Sequence, residues 1–350
     1  MKSVCIICGG QSHEHEISLI SASSILKNIN REKYDVSTVI IDKDGSFFVT
    51  KQTGDLSGGK WKDFSDLSNA IISPSKTIGN ILKFTGENTF ESIKVDAFFP
   101  VLHGENGEDG VMQGLLTLSG VAFVGGGTLN SASCMDKEVT HIRLEASGIK
   151  TAPYIVIKKD EFDLEEIDEK IKATVGYPAF AKPANAGSSI GVGKIPAKEN
   201  LKEILDEAFS VDNKVLIEKC IVGSEVECAV MGNDEILAAD FLGEIAPTAE
   251  FYDFDAKYAD ASTELFIPAR ISEALTKKVR EIALKAYKAL DCKGLSRVDF
   301  FVTGDGEIIL NEINTLPGFT SISMYPKLFE ASGISYSELI DKLISLASVK

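Results

Sequence analysis

Hydrophobic and polar positions along the first hundred residues form a pattern that predicts strands alternating with helices. The segments KSVCIIC (2–8) and YDVSTVIID (34–42) are short, apolar and rich in β-branched side chains, as buried strands are. Between them, the stretch from Ile17 to Ile29 places apolar residues at helical spacing. Strands that alternate with helices are typical of a parallel sheet with crossover helices. We therefore expect a doubly wound, parallel-sheet α/β domain at the N-terminus.

The same alternation continues for a further stretch and then changes. VDAFFPVLHG (95–104) predicts another strand, and the apolar residues after it predict a helix that ends at Gly120. The polar residues 51–76 predict a surface loop or a short helix. Beyond the glycines at 125–127, the sequence predicts short strands that alternate with helices, and the first of these helices spans residues 134–148. This second pattern indicates a small α+β unit.

From about Ser224 the sequence predicts a larger sheet. A long amphipathic helix over residues 272–290 would pack on it, and a helix over residues 337–347 closes the chain. We expect three domains of α/β and α+β class. Their predicted bounds are 1–126, 127–222 and 223–350.

The end of this C-terminal sheet carries polar side chains where apolar ones are expected. In GEIILNEINTLPGFTS (306–321), Glu312 and Asn314 share one strand face, because side chains two residues apart point to the same side. The preceding strand carries Arg297 and Asp299 on one face, and the Asp-Gly turn between the strands favours a tight hairpin. Such a hairpin would bring Asp299 opposite Glu312 and Asn314.

This arrangement predicts a site for a hard cation. Two carboxylates held about 4 Å apart repel by roughly 4 kcal/mol at an effective dielectric constant of 20, so a positive charge is expected between them. Oxygen ligands suit Mg²⁺ better than Zn²⁺. A hairpin face exposed to solvent is the alternative, but the apolar residues around Asp299 and Glu312 favour a cation site.

A loop rich in glycine and serine, KPANAGSSIGVGK (182–194), follows a predicted strand. Its backbone amides and hydroxyls could approach phosphate oxygens closely. It lacks the spacing of a P-loop, so an ordinary hairpin tip is the alternative. Together with Lys137, Lys182 and Glu218 it forms a candidate nucleotide site, with lysines for phosphates and an acid for a ribose or adenine edge.

Two turns that follow N-terminal strands, GGQSHEHEIS (9–18) and LHGENGEDG (102–110), lie where doubly wound folds bind ligands. Glu14 and its charged neighbours predict recognition of a small polar group, and helix capping is the alternative. His103 ends its strand, while a helix start at Asp109 accounts for the acids of the second turn without any chemistry.

Composition limits the classes of partner. The chain has 350 residues, of which 44% are hydrophobic, and its formal net charge is −16, which argues against nucleic acid or an anionic membrane as main partner. The apolar runs are too short for a signal peptide or a membrane span, so we expect a cytoplasmic protein. The six cysteines lack the spacing of a disulfide framework, so we expect buried, reduced thiols.

Taken in order, these motifs resemble the ATP-grasp superfamily and, closely, its D-alanine:D-alanine ligase family. The match spans Gly9 to Ser323 and, besides the segments quoted above, includes CMDK (134–137), LIEK (216–219), GSEVECAV (223–230), FYDFDAKY (251–258) and SRVDFF (296–301). The resemblance implies a three-domain ATP-grasp architecture, with ATP bound between the central and C-terminal domains.

The resemblance also implies a role for each matching residue. ATP would be bound by Lys137, Lys182, Ser189, Glu218, Lys219, Ile221, Glu225 and Lys257, and two Mg²⁺ ions, or Mn²⁺ in their place, by Asp299, Glu312 and Asn314. The implied catalytic residues are Glu14, Ser188, Tyr258, Arg297 and Gly318. The implied substrate-binding residues are His103, Ser323 and Met324.

The implied reaction is the ATP-dependent joining of two D-alanine molecules through an acyl phosphate, for peptidoglycan precursor synthesis, by a homodimer. Tyr258 favours an amine as second substrate, and D-serine in that place is the alternative. Ile322 stands where many family members carry His, beside the second subsite. One rival interpretation, another ATP-grasp carboxylate-amine ligase, is disfavoured by HEIS (15–18) together with FYDFDAKY. The other, a nucleotide-binding module without catalysis, is disfavoured because the chain keeps both Arg297 and Lys257.

Overall fold

The computed structural model describes residues 1–160, 163–246 and 264–348. The elements of its N-terminal part are β1 (Lys2–Gly9), α1 (His15–Asn28), β2 (Tyr34–Ile41), β3 (Phe47–Thr50), a 3-10 helix (Ser57–Asp63), β4 (Ser68–Ile72), β5 (Ile81–Gly86), β6 (Thr89–Ile93), β7 (Ala97–Pro100), α2 (Val111–Ser119) and β8 (Ala122–Phe123).

The N-terminal strands form one mixed sheet in the order β6-β5-β4-β3-β2-β1-β7-β8. Strands β2, β1, β7 and β8 run parallel, because α1 and α2 supply the crossover connections that parallel neighbours need. This confirms the predicted α/β class. The remaining strands are antiparallel, and the sequence analysis did not predict β4 to β6. Strand β6 is exposed along most of its length, so it lacks the apolar pattern that marks a strand.

The central part is an α+β unit, as predicted. Its elements are α3 (Thr128–Met135), α4 (Lys137–Ala146), β9 (Tyr154–Lys158), α5 (Leu164–Thr174), β10 (Ala179–Pro183), β11 (Gly193–Ile195), a 3-10 helix (Lys198–Asn200), α6 (Leu201–Val211) and β12 (Lys214–Lys219). The strands form an antiparallel sheet in the order β11-β10-β12-β9.

The single helix predicted over residues 134–148 is two helices in the structure. Asp136 has an extended backbone and separates α3 from α4. Its carboxylate caps α4 by accepting a hydrogen bond from the backbone N–H of Val139, at 3.1 Å. The break brings Lys137 to the first position of α4, where its side chain reaches the ligand cleft described below.

The C-terminal part is built on an antiparallel sheet. Its elements are β13 (Gly223–Gly232), β14 (Ile236–Ala238), β15 (Gly243–Ala246), β16 (Glu264–Phe266), α7 (Glu273–Ala289), β17 (Gly294–Thr303), β18 (Ile308–Asn314), α8 (Met324–Ala331) and α9 (Tyr336–Leu346). The strand order is β16-β15-β13-β17-β18, with β14 paired to β13. Helix α7 packs its apolar face, including Val279, Ala283 and Tyr287, on this sheet.

The two ends of the chain share one hydrophobic core. The ring of Phe319 lies 6.0 Å from that of Phe99 and 5.6 Å from that of Tyr325. Helices α8 and α9 therefore pack with β1 and α1 in the same cluster. The predicted division into three domains at residues 126 and 222 stays a prediction.

All six cysteines are free thiols, as predicted, but only four of them are buried, since Cys134 and Cys220 are partly exposed. Within residues 1–160, 163–246 and 264–348, no helix is both long enough and apolar enough to cross a membrane.

Gly294 fixes how the start of β17 meets the chain near residue 125. Its φ is +74°, and a Cβ there would lie 2.7 Å from the backbone nitrogen of Gly125. A left-handed backbone costs a non-glycine residue about 1–2 kcal/mol, and the steric overlap adds to this. We therefore expect Gly294→Ala to lower the free energy of unfolding by about 2 kcal/mol or more, measured by urea denaturation.

Gly304 provides the matched control, because a Cβ there would meet nothing within 4 Å and its φ is not left-handed. Gly304→Ala should change the free energy of unfolding by less than about 0.5 kcal/mol. Equal losses in the two variants would show that the contact with Gly125 does not constrain the fold.

Candidate active site

The predicted hairpin brings its polar side chains together. Strands β17 and β18 pair in antiparallel fashion with Asp299 opposite Glu312 and Arg297 opposite Asn314. The Nδ2 of Asn314 donates a hydrogen bond to Oδ2 of Asp299 at 2.9 Å. The pairing shifts after Asp299, which leaves Asn311 as the extra residue of a β-bulge. The convergence predicted for Asp299, Glu312 and Asn314 is therefore present, and their role as metal ligands stays a prediction.

Arg297 is held between two acids. Its Nε and Nη2 donate to the two oxygens of Asp299 at 2.8 and 2.6 Å, and its Nε also lies 3.0 Å from Oε1 of Glu227. Burial alone would lower the pKa of Arg297, but the neighbouring carboxylates hold it well above its usual value. The guanidinium is thus a fixed positive charge at the centre of this cluster.

Glu227 is a residue of this cluster that the sequence analysis missed. On β13 it lies opposite Asp299, which in turn lies opposite Glu312, so three carboxylates form one row across adjacent strands. Its side chain is buried, with 4% relative exposure. The sequence could have indicated Glu227 through its spacing, because it lies two residues after Glu225, on the same face of an otherwise apolar strand.

A cleft of about 550 Å³ lies between the central and C-terminal sheets. Strands β10 and β12 form one wall, and residues of β13, β15 and the β17–β18 hairpin form the other. Seven of the eight residues predicted to bind the nucleotide line this cleft. They are Lys137, Lys182, Ser189, Glu218, Lys219, Ile221 and Glu225.

The glycine- and serine-rich loop closes one side of the cleft. Ser188 and Ser189 have φ values of +50° and +59°, in the left-handed region that non-glycine residues seldom adopt. Both residues line the cleft. Backbone conformations of this kind concentrate where a loop is shaped around a ligand.

Lys182, Glu218 and His141 form a buried network in the wall of the cleft. The Nζ of Lys182 lies 2.6 Å from Oε2 of Glu218 and donates to Oδ1 of Asn311 at 3.1 Å. The Nε2 of His141 lies 3.1 Å from Oε1 of Glu218. Burial would raise the pKa of Glu218, but Lys182 and His141 outweigh it and bring that pKa to about 2. The carboxylate is therefore ionised over the whole working pH range.

A second cavity, of about 140 Å³, adjoins the cleft, and both are lined by Ser188, Ile245 and Glu312. It contains all the predicted catalytic and substrate-binding residues that the structure describes. They are Glu14, His103, Ser188, Arg297, Gly318, Ser323 and Met324. Ile322, where the sequence departs from many family members, also lines it.

Hydrogen bonds within this cavity connect distant parts of the chain. The hydroxyl of Ser188 donates to Oε1 of Glu14, so two of the implied catalytic residues are in direct contact. The Nδ1 of His103 donates to the carbonyl oxygen of Leu316 at 3.0 Å. Its Nε2 is buried and has no hydrogen-bond partner in the described part of the chain, so it is available to a bound substrate. Burial lowers the pKa of His103, although Glu14 opposes the shift.

Glu108 is a second residue that the sequence analysis passed over. The acids of its turn were explained by helix capping, and Asp109 does accept a hydrogen bond from the backbone of Val111, at 3.1 Å. Glu108, however, lines the smaller cavity and accepts hydrogen bonds from the backbone N–H groups of Gly104 and Leu316, at 2.8 and 3.3 Å. Burial, followed by the charge of Glu14, raises the pKa of Glu108 to about 8.

Two predicted site residues cannot be placed. Lys257, assigned to the nucleotide, and Tyr258, assigned to catalysis, belong to residues 247–263, which lie outside the described residues. Both assignments stay predictions.

The raised pKa of Glu108 predicts a pH effect on stability. The unfolded chain loses this proton near pH 4.5 and the folded chain near pH 8, so stability falls as pH rises between these values. Relative to Glu108→Gln, the wild type should lose on the order of 2 kcal/mol of unfolding free energy between pH 5 and 8.5, a value reduced for partial solvent exposure. Urea denaturation across this pH range measures the difference.

Glu105→Gln is the matched control, because it removes an exposed acid from the same turn. Its stability curve should run parallel to that of the wild type. If the Glu108→Gln curve is also parallel, the carboxyl of Glu108 does not hold its proton in the folded protein.

Comparisons with known proteins cover almost the whole chain. The family model for the N-terminus of D-ala D-ala ligases matches residues 3–126, and the model for the C-terminus matches residues 144–345. The D-alanine–D-alanine ligase of Acetivibrio thermocellus is 49% identical, with 99% of this chain and 96% of the relative covered. That of Caldicellulosiruptor bescii is 47% identical, covering 99% and 95% respectively.

Solved structures of the same kind share the fold. The VanG D-Ala:D-Ser ligase from Enterococcus faecalis superposes with a TM-score of 0.89 at 40% identity, covering 99% of each chain. The D-alanine–D-alanine ligase from Coxiella burnetii gives 0.83 at 32% identity, covering 99% of this chain and 95% of that one. Together with the cleft, the adjoining cavity and the acidic hairpin at their border, these matches show that the chain belongs to the D-alanine–D-alanine ligase family.

Proposed function

We propose that the chain joins two D-alanine molecules into D-alanyl-D-alanine, a peptidoglycan precursor, and hydrolyses ATP to ADP and phosphate in doing so. The observation that carries the proposal is the pair of adjoining cavities. A nucleotide in the larger one and amino acids in the smaller one would meet at Ser188 and Glu312, which line both. Transfer between two substrates requires such a shared border.

The larger cleft suits ATP in size and charge. Its volume of about 550 Å³ lies within the range of about 300–1,000 Å³ typical of ligand sites. Lys137 and Lys182 would contact phosphate oxygens, with the amides and hydroxyls of Ser188 and Ser189 beside them. Glu218, Lys219, Ile221 and Glu225 would surround adenine and ribose.

The hairpin suits divalent cations. Within residues 1–160, 163–246 and 264–348, no three His, Cys, Asp or Glu side chains are placed to hold a metal by themselves. Asp299, Glu312 and Asn314 instead offer two carboxylates and an amide, the incomplete oxygen set typical of Mg²⁺ sites that share their ion with phosphates. We propose that they hold two Mg²⁺ ions, with Mn²⁺ as an alternative. When bound, these ions neutralise charge on the transferring phosphoryl group.

The protein groups then divide the reaction between them. Glu14, oriented by Ser188, would bind the ammonium group of the first D-alanine, whose carboxylate takes the γ-phosphoryl group and becomes an acyl phosphate. The amine of the second D-alanine attacks the carbonyl carbon of this acyl phosphate and loses a proton, and phosphate leaves as the peptide bond forms. Arg297 and the backbone N–H of Gly318 would stabilise the tetrahedral anion, a contribution whose loss typically costs roughly 3–4 kcal/mol. His103, Ser323 and Met324 would position the substrates.

D-serine as second substrate is the alternative. The structural likeness to a D-Ala:D-Ser ligase, at a TM-score of 0.89, favours it, and so does the position of Ile322 in the lining of the smaller cavity. A homodimer and a cytoplasmic location complete the proposal, and both rest on the sequence analysis alone.

The direct test is ADP release with ATP, Mg²⁺ and D-alanine alone, compared with D-alanine plus D-serine and D-alanine plus D-lactate. We expect D-alanine alone to sustain full turnover, with the dipeptide identified by mass spectrometry. Turnover only when D-serine is added would establish the alternative. No ADP release with any combination would refute a ligase of this substrate class.

Glu312→Gln tests the metal site. The variant keeps the size of the side chain but removes one of the two carboxylates, so metal-dependent turnover should fall by about 10³-fold or more while the protein stays folded. Glu307→Gln is the matched control, because Glu307 lies on the same hairpin but is exposed. The control should retain wild-type turnover and Mg²⁺ dependence. Unchanged ADP release in Glu312→Gln would remove Glu312 from the site.

A further inference from the structure

We propose that His141 is a positioning residue for the nucleotide, because it holds Glu218 from outside the larger cleft and so lets Lys182 turn towards a phosphate. The inference rests on the proposed function and extends it. It adds to the nucleotide site a residue that belongs neither to the predicted site residues nor to the roles proposed above.

The three side chains come from separate elements and meet on one face of the central sheet. Lys182 lies on β10 and Glu218 on the adjacent antiparallel strand β12. His141 lies on α4, one turn after Lys137. Its ring packs against Tyr154 of β9, with ring centroids 4.5 Å apart, and Tyr154 lies opposite Glu218 in the sheet. The imidazole is thus held beside the carboxylate by packing as well as by its hydrogen bond.

Each oxygen of Glu218 has its own partner. The Nζ of Lys182 lies 2.6 Å from Oε2, and the Nε2 of His141 lies 3.1 Å from Oε1. An ionised carboxylate can only accept hydrogen bonds, so Nε2 carries a hydrogen and donates it. Among the described residues, these two are the basic side chains bonded to Glu218. The acid has 3% relative exposure, so water is a poor substitute for either partner.

Lys182 is a charged lysine that a phosphate can share only in competition with other acceptors. Burial lowers the pKa of this lysine, but Glu218, Glu312 and Glu225 outweigh the effect and raise it above the usual value. Its Nζ also donates to Oδ1 of Asn311, at 3.1 Å. The shorter of its two hydrogen bonds is the one to Glu218, so this carboxylate is the main competitor of an incoming phosphate.

The two partners of Glu218 differ in what else they reach. Lys182 lines the larger cleft, whereas His141 is not one of the residues that line it. A phosphate in the cleft would therefore compete for Lys182 but not for His141. As Lys182 turns towards the phosphate, His141 continues to donate to the buried acid and limits the cost of the change. Without this donor, Lys182 would serve two anions at once, and phosphate binding would weaken.

His141→Phe tests the proposal, because it removes the donor and keeps an aromatic ring against Tyr154. Isothermal titration calorimetry with ADP and Mg²⁺, and competition by adenosine, compare ligands with and without phosphates. We expect the Kd for ADP to rise about tenfold or more, as the loss of a hydrogen bond to a charged group would cause, while the Kd for adenosine changes less than about threefold. If this variant does not fold, His141→Leu replaces it in the same measurements.

His141→Gln and a double-mutant cycle separate the contact with Glu218 from other effects. The side-chain amide of His141→Gln can also donate to Glu218, so its Kd for ADP should stay within about threefold of the wild-type value. In a Glu218→Gln background no acid charge remains to be compensated. Adding His141→Phe there should change the Kd for ADP by less than about threefold.

Leu144→Val is the matched control for a loosened helix. Leu144 is buried on α4 like His141 but packs in the apolar cluster of the C-terminal sheet. The variant should bind ADP and adenosine as the wild type does.

The results that would overturn the proposal are distinct. They are an unchanged Kd for ADP in His141→Phe, an equal loss of ADP and adenosine affinity, a His141→Gln variant no better than His141→Phe, a full effect of His141→Phe in the Glu218→Gln background, or the same loss in Leu144→Val. A wild type that binds neither ADP nor ATP would refute the proposed function together with this inference. A wild type that binds ADP but does not turn over ATP with D-alanine would refute the proposed function alone.

Discussion

The candidate site depends on the compensation of buried acids by a few fixed cations. Glu227, Asp299 and Glu312 lie in one row across three adjacent strands, an arrangement that repulsion would oppose if the acids stood alone. Arg297 is bonded to two of the three and its pKa is held well above the usual value, so its charge cannot be lost. A buried acid left without a partner is strongly destabilising. The strand pairing that forms the sheet therefore requires the positive charge of Arg297 within the site.

A second constraint joins the N-terminal part of the chain to this sheet. His103 and Glu108 lie in one turn, and both bond the backbone of Leu316, just beyond β18. Gly294 approaches the backbone of Gly125 at the other end of the hairpin's first strand. Since Phe319 and Tyr325 also pack in the N-terminal core, the loop that follows β18 is fixed from both sides. The smaller cavity thus has walls contributed by regions far apart in sequence.

The sequence predicted the parts of this structure that depend on local pattern. The hairpin could be predicted because alternation and an Asp-Gly turn specify register over a few residues, and register decides that Asp299 meets Glu312. The sequence analysis did not identify Glu227 and Glu108 as site residues, because their partners, Arg297 and Leu316, lie 70 and 208 residues away in the sequence. Strand β6 was not predicted for a different reason, since it is exposed along most of its length and shows no alternation of apolar and polar residues. The resemblance to a family supplied the residue roles, which geometry alone does not define.

The two cavities differ in how their buried acids are paired with basic side chains. In the larger cleft Glu218 is shared by Lys182 and His141, at 2.6 and 3.1 Å. When a phosphate draws Lys182 away, His141 still donates to the carboxylate, so an anion can bind without leaving that acid unpaired. In the smaller cavity the sharing is reversed, because Arg297 serves two acids. In the larger cleft Glu218 thus keeps a partner when an anion binds, whereas in the smaller cavity one guanidinium is shared by Glu227 and Asp299.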